Sequence, residues 1–380
     1  MSIFRVRSRA PIALSKLAMI RKDPKGAKRL ERTPGESTLT AAKVAVCILA
    51  KNEAQSIGGL LRQLARQSLM RNGCADVSIH VVVNGCTDET AAVARECAEI
   101  FNGTRANLHV HELEVGGKSR AWNRTVHGIV EASVEYFVFV DADITLVDEN
   151  IIDELLVALQ AQPDADVSNG YPLKDFSAKP WKSPLDVFSL AMSKRSQQPT
   201  AINGQLYVAK ASALEDIWLP DETPGEDGFL NAMVTTRGFT MQPVPGRVIG
   251  ARRPTHYYRT HRAFGFFLHE RRMIVGTLIN IWIFEHLWSL SLTSPAGNLI
   301  RNWNQSDPGW VERLIRQRSD GRNWLVPKSI MFGRLISRSS MPWWKRAAHF
   351  PLAAVATMLT IPPAIAANAK LKQRGAASTW

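Results

Sequence analysis

Between residues 44 and 140 the chain alternates apolar runs with stretches of helical spacing. Residues 44–50 form an unbroken β-branched and apolar run, the pattern of a strand buried on both faces of a parallel sheet, and Ile57, Leu60, Leu61 and Leu64 follow at helical spacing. Residues 77–83 repeat the strand pattern. Residues 87–101 predict a helix with Ala91, Ala94, Cys97, Ala98 and Phe101 on one stripe, and 108–113 predict a third strand. Trp122, Val126, Ile129 and Val130 mark another helix, and 136–140 a fourth strand that ends directly in acidic residues. This alternation implies right-handed crossovers and an α/β fold with a mostly parallel, Rossmann-like sheet flanked by helices. Ligands of such sheets bind outside the carboxyl ends of the strands.

The polar residues of this region sit at those ends. Lys51, Asn52 and Glu53 follow the first strand, and Asn84, Gly85, Cys86, Thr87 and Asp88 follow the second. Gly116, Gly117 and Lys118 lie beyond the third, and Asp141-Ala142-Asp143 follows the fourth. Four loops therefore converge on one crevice with acceptors, a cation, flexible glycines and a carboxylate pair. Two carboxylates one residue apart at the end of an apolar strand suit Mg²⁺ or Mn²⁺, a hard cation that completes its shell with phosphate and water. The glycines before Lys118 lack the spacing of a phosphate-binding Walker loop, which disfavours P-loop hydrolysis.

Charge adds a partner to this picture. The 380 residues hold 47 Lys and Arg against 34 acidic residues, a net charge of +13. Residues 1–43 carry eleven Lys or Arg against three acids, and seven arginines lie between Arg247 and Arg272 with only Glu270 for company. The remainder is close to neutral, and no aromatic or helical reading surface accompanies the charge, so an anionic membrane surface or phosphorylated substrates are expected and nucleic acid is not. Cys47, Cys74, Cys86 and Cys97 lack any C-x-x-C spacing and read as free thiols of a reducing compartment.

Near the other end, residues 350–369 are uncharged, preceded by Trp343, Trp344, Lys345 and Arg346 and followed by Lys370 and Lys372. Aromatic and basic flanks suit a membrane-seated segment, whereas Pro351, Pro362 and Pro363 and the many alanines fit a tilted, broken or interfacial helix better than a clean span. The apolar helical run 273–284 reads either as a second interfacial surface or as a buried core helix.

Taken in order, Ala50-Lys51-Asn52-Glu53, Val83 through Thr90, Gly117-Lys118 with Asn123, Asp141-Ala142-Asp143 and Glu226-Asp227 resemble a bacterial-type, membrane-associated family 2 glycosyltransferase with the nucleotide-sugar-binding GT-A fold. The resemblance runs from about Val44 to Gly238. It implies that Asn52 and Glu53 line the nucleotide pocket, that Asn84 contacts base or ribose, and that Asp141 lies near ribose and metal. It also implies that Asp143 ligates the Mn²⁺ or Mg²⁺ ion bridging the diphosphate, and that Asp227 deprotonates the acceptor hydroxyl with Glu226 beside it. The family usually has Asp where this chain has Asn84, which leaves the donor's base open, with a UDP-sugar expected. Charge developing on the leaving phosphate assigns Lys118 to that group together with Asp143. In the basic stretch that follows, arginines are expected to grip phosphate and His256 to complete the metal shell.

These expectations divide the chain into a basic tail (1–43), a GT-A catalytic domain (44–245), a basic and helical acceptor-side region (246–340) and a membrane-associated C-terminal segment (341–380). The implied activity is metal-dependent, inverting transfer of a sugar from a nucleotide-diphosphate donor to a lipid-linked or surface-glycan acceptor at the cytoplasmic face of a membrane. The alternatives are a sugar nucleotidyltransferase, which needs neither a base at Asp227 nor a membrane segment, and a non-catalytic membrane scaffold.

Overall fold

A computed structural model describes residues 42–71, 75–183, 186, 190, 199–260, 263–336 and 343–373. Nearly all of the basic tail, Cys74 and His261 lie outside the described residues. The main elements run β1 (Lys43–Ala50), α1 (Ile57–Arg66), β2 (Asp76–Asn84), α2 (Thr90–Glu96), β3 (Ala106–Leu113), α3 (Lys118–Arg124), β4 (Tyr136–Val140), β5 (Ile144–Leu146), α4 (Ile151–Gln160), β6 (Val167–Asn169) and β7 (Pro172–Lys174). They continue with β8 (Leu206–Lys210), α5 (Glu226–Thr235), β9 (Val248–Gly250), β10 (His256–Tyr258), α6 (Ala263–Ser289), α7 (Gly297–Ser306), α8 (Trp310–Ser319) and α9 (Trp343–Lys372).

Seven strands form one sheet in the order β3-β2-β1-β4-β8-β6-β9, in which β8 runs antiparallel to both neighbours and the other pairings are parallel. Successive strands leave β1 toward β3 on one side, and β4 then returns to the other side of β1. The chain direction across the sheet thus reverses between β1 and β4, and the loops after these two strands open on the crevice that this reversal creates. A small sheet, β5-β10-β7, lies beyond it, with His256 opposite Leu146 and Tyr258 opposite Ile144.

Alternation along β1 divides the core. Val44, Val46, Ile48 and Ala50 pack with α1 and α4, through Ile57, Leu60, Leu61, Leu64, Ile152 and Leu156. Ala45 and Cys47 face the opposite core, which gathers Trp122, Phe139, Tyr207 and the C-terminal helices. The GT-A expectation of a mostly parallel sheet flanked by helices is met by this architecture.

The run 273–284 belongs to the core: Ile274, Val275, Leu278, Ile279, Trp282 and Ile283 of α6 are all buried, so of its two readings the packed helix is the one observed. The helix expected at 87–101 is shorter. Asp88 accepts from the Thr90 N–H at 3.1 Å, so α2 starts at Thr90, and beyond Glu96 it tightens into a 3-10 turn, Cys97–Phe101, that leaves Ala98 exposed. No helix among the described residues is long and apolar enough to cross a membrane.

Candidate active site

The crevice begins with two loops tied together. Asn52 adopts a left-handed backbone (φ 56°), and its Oδ1 accepts from the Thr87 N–H at 2.8 Å. The Glu53 N–H donates to Thr90 Oγ1 at 2.8 Å and the Ala54 N–H to Asp88 Oδ2 at 3.1 Å. Asp88 and Thr90 therefore hold the loop after β1 against the start of α2, a role that the sequence did not single out. Three satisfied hydrogen bonds to one short loop give it a single shape before any ligand arrives.

Asn84 is buried, and its Oδ1 accepts from the Gly117 N–H at 2.9 Å. It is committed to shaping the glycine loop, whereas it was expected to face base or ribose. An aspartate could accept this bond equally well, so the Asn at this position keeps the loop geometry. Gly85 completes the approach: with φ at 59°, a side chain there would bring Cβ within 2.7 Å of the Gly116 backbone nitrogen.

Gly117 precedes α3, whose first residue is Lys118. The Lys118 ammonium lies 2.9 Å from Asp141 Oδ1 and 3.1 Å from Glu226 Oε1, so it joins the end of β4 to the start of α5. Burial opposes its charge, but the two carboxylates outweigh it and raise the Lys118 pKa above the ordinary lysine value. Asp141 is raised chiefly by burial, with Lys118 pulling the other way. The cation expected to face the leaving phosphate is thus already matched by two carboxylates, and it acts first as the clamp that holds them together.

Asp227 stands beside this clamp on the first turn of α5. Burial, and then repulsion from Glu226, raise its pKa to about 6, while the Gly228 N–H, bonded to Oδ1 at 2.7 Å, and the charges of Lys118 and Arg272 work against the rise. Gly204, with φ at 71°, lies against it: a Cβ there would be 3.1 Å from that of Asp227. Lys118, Asp141, Gly204, Tyr207, Glu226 and Asp227 line one cavity, and Tyr207 is fixed from behind by the Trp122 indole N–H at 2.9 Å. The Asn-Gly dipeptide before the β8 pattern was the available signal for Gly204.

Asp143 follows Asp141 by one buried alanine, and its charge raises the pKa of both Glu53 and Asp141, behind burial as the main cause in each. Asp141, Asp143 and Glu53 thus face one another electrostatically, an arrangement of hard oxygen donors that a divalent cation would relieve. No group of three or more His, Cys, Asp or Glu forms a cage among the described residues. The donor set fits an ion that takes most of its shell from phosphate and water.

His256 is not available as the expected third ligand. It is fully buried on β10, Nε2 donates to Gln205 Oε1 at 3.1 Å, and Nδ1 is left to accept the Thr255 hydroxyl at 2.8 Å. Burial pushes its pKa down to about 3, so the ring is a neutral hydrogen-bonding strut.

The arginines of the basic stretch divide. Arg247 pairs with Asp166, and Arg253 with Asp148 and Glu154, so both hold the scaffold. Arg259 and Arg272 are exposed, and their charges slightly lower the pKa values of Glu53 and Asp227 respectively. Asn123 is buried; its amide donates to the Leu219 carbonyl at 2.8 Å and to Asp221 at 2.9 Å, fixing the segment that leads to Glu226.

With this geometry in hand, residues 41–273, more than half of the chain, match the family model described as "Glycosyltransferase like family 2". Among curated proteins, the 4,4'-diaponeurosporenoate glycosyltransferase of Staphylococcus aureus is 30% identical over 121 residues, which cover 31% of this chain and only 28% of that relative's length. Among solved structures, a mannosyltransferase from Pyrobaculum calidifontis is 18% identical, with 87% of each chain covered and a TM-score of 0.49. Glucosyl-3-phosphoglycerate synthase from Mycobacterium tuberculosis is 17% identical, with 66% of this chain and 85% of that one covered and a TM-score of 0.45.

Proposed function

The chain belongs to the glycosyltransferase-like family 2, and from that premise we propose that it moves a sugar from a nucleoside-diphosphate donor, expected to be a UDP-sugar, to an acceptor hydroxyl by a single inverting displacement. The observation that carries this reading is the pairing of Lys118 with Asp141 and Glu226, which holds the end of β4 and the start of α5 together with Asp227 alongside.

Asp227 takes the acceptor proton. A carboxyl group whose pKa is raised to about 6 is ionised at neutral pH and still basic enough to accept a proton as the acceptor oxygen attacks. Glu226 sustains that basicity by like-charge repulsion, and Lys118 keeps Glu226 and Asp141 from repelling each other out of position. Asn52 and Glu53 line the nucleotide side, on a loop fixed by Thr87, Thr90 and Asp88. Arg259 and Arg272 reach the diphosphate as cationic donors. Asp143 and Asp141 would hold a Mn²⁺ or Mg²⁺ ion, which when bound supplies positive charge to the departing diphosphate.

The acceptor in this reading is lipid-linked or a growing surface glycan, met at the cytoplasmic face of a membrane, and the support for it is the net charge of +13 and the apolar C-terminal segment. Isothermal titration of the full chain with UDP, GDP and dTDP, with and without Mn²⁺, tests the donor side. One nucleotide is expected to bind in a metal-dependent manner and to lose that dependence in Asp143→Ala. Absence of metal-dependent binding by all three would overturn the reading.

A further inference from the structure

The C-terminal helix α9 is packed inside out. Its inward face, which lies along α6, is made of Ala353, Ala356, Thr360, Ala364 and Ala367, all buried. Leu371, near the C-terminal end, is buried as well, but four large apolar side chains of the central turns point the other way: Val355 is 48% exposed, Met358 67%, Leu359 48% and Ile365 54%. These four positions fall at helical spacing on one stripe, which Phe350, 61% exposed, extends toward the N-terminal end. Were packing against the body of the protein the only demand on this helix, the larger side chains would be inside, since each buried Leu or Ile is worth about 1.5–3 kcal/mol and Ala far less. The outward stripe is therefore a surface made to leave water on meeting something else.

Charge indicates what that is. No Asp or Glu follows Asp320, and the last sixty residues carry nine Lys and Arg. Trp343 and Trp344 beside Lys345 and Arg346 precede the stripe, and Lys370 and Lys372 follow it. A second copy of this chain would bring two such basic surfaces together, which like-charge repulsion opposes. An apolar stripe between cationic ends, with tryptophan at one of them, complements an anionic lipid surface. One face of α9 is already occupied by the protein, so lipid can reach it from one side only.

We propose that Val355, Met358, Leu359 and Ile365 seat the protein on an anionic bilayer, with α9 lying in the plane of the interface. The proposal deepens the membrane part of the proposed function and is independent of its chemistry. The stripe enters the acyl boundary while the flanking lysines and arginines meet the headgroups, so binding depends on both anionic lipid and salt.

Flotation of the full chain with vesicles tests it. Wild type is expected to float with vesicles of phosphatidylcholine containing phosphatidylglycerol, far less with phosphatidylcholine alone, and less as salt rises. Met358→Glu with Ile365→Glu, two exposed substitutions, is expected to weaken flotation at least about tenfold at an unchanged melting temperature and unchanged nucleotide binding. Val355→Ser with Leu359→Ser provides a second pair should the first fail to fold. Flotation of both pairs at the wild-type level, or a wild type that stays in the soluble fraction, overturns the proposal. So does a dimer by sedimentation velocity that the glutamates dissociate, since the stripe would then belong to a second copy. Nucleotide binding separates the two readings: its failure alone strikes the transferase chemistry and leaves the seat intact.

Discussion

The Asn280 amide donates to the Gly225 carbonyl at 2.7 Å, and its Oδ1 accepts the Thr223 hydroxyl at 3.2 Å. A buried residue of α6 thereby holds the backbone immediately before Glu226 and Asp227. Gly225, Gly228 and Gly276 make the approach possible, because a Cβ at Gly225 would come within 2.7 Å of the Asn280 amide nitrogen. Helix α6 also carries the C-terminal helix α9, so the segment that presents Asp227 is fixed by the same element that supports the apolar stripe.

Asn280→Ala removes both bonds and leaves the Gly225 carbonyl without this partner. The expected stability loss is about 1–3 kcal/mol. The rate of transfer should fall about tenfold or more while nucleotide affinity stays near wild type, because positioning of the base is lost and the donor pocket is untouched. Denaturant unfolding, with kcat and nucleotide binding measured separately, checks this.

The pH profile should carry the signature of Asp227. A base must be deprotonated to act, so the rate rises with pH through a limb near 6 and reaches a plateau above it. Glu226→Gln takes away the like charge that helps to raise the Asp227 pKa, and the limb should move to lower pH by up to about one unit. A limb that moves upward would contradict the electrostatic account.

Gly204→Ala places a methyl group 3.1 Å from the Asp227 Cβ, at a backbone φ of 71° that L side chains rarely adopt. The conformational cost is about 1 kcal/mol. The carboxylate should be displaced as well, so the rate is expected to fall further than the melting temperature suggests. Comparing kcat with thermal stability distinguishes the two effects.

Far from the crevice, His80 lies edge to edge with His111, with Nδ1 and Nε2 at 3.1 Å, and against His109; its own Nε2 meets Ser78 Oγ at 3.0 Å. Burial first, and then the two neighbouring rings, push its pKa down to about 4. A histidine depressed from about 6.5 in the unfolded chain gives a contribution that is fully present above that pH and is lost as pH falls toward 4. Acidification over this window should cost about 3 kcal/mol at this site. In His80→Gln the pH dependence of unfolding should be correspondingly flatter.

Much of the sheet was legible because buried parallel strands leave continuous apolar runs, as at 44–50 and 136–140, and the loops at their ends announce themselves by polarity. The pairing of Lys118 with Glu226 was not legible, since 108 positions of chain separate them and no local pattern records the contact. The same holds for Asn280, a lone polar residue in an apolar helical run. The family resemblance gave Asn84 a ligand-facing role, and residue type in a basic stretch gave one to His256, yet both turn inward to bond their own scaffold, a distinction that depends on side-chain direction. The apolar stripe of α9 was visible as an uncharged segment, but which of its faces is open depends on packing against α6.

The central claim is that Asp227 removes the acceptor proton in a metal-dependent sugar transfer. The most direct test is release of nucleoside diphosphate from a panel of UDP-, GDP- and dTDP-sugars, with Mn²⁺ or Mg²⁺ and a lipid extract as the source of acceptor, comparing wild type, Asp143→Ala and Asp227→Asn. Metal-dependent release from one donor is expected in wild type, with loss of release in both variants and nucleotide binding retained in Asp227→Asn. Undiminished release by Asp227→Asn would contradict the account.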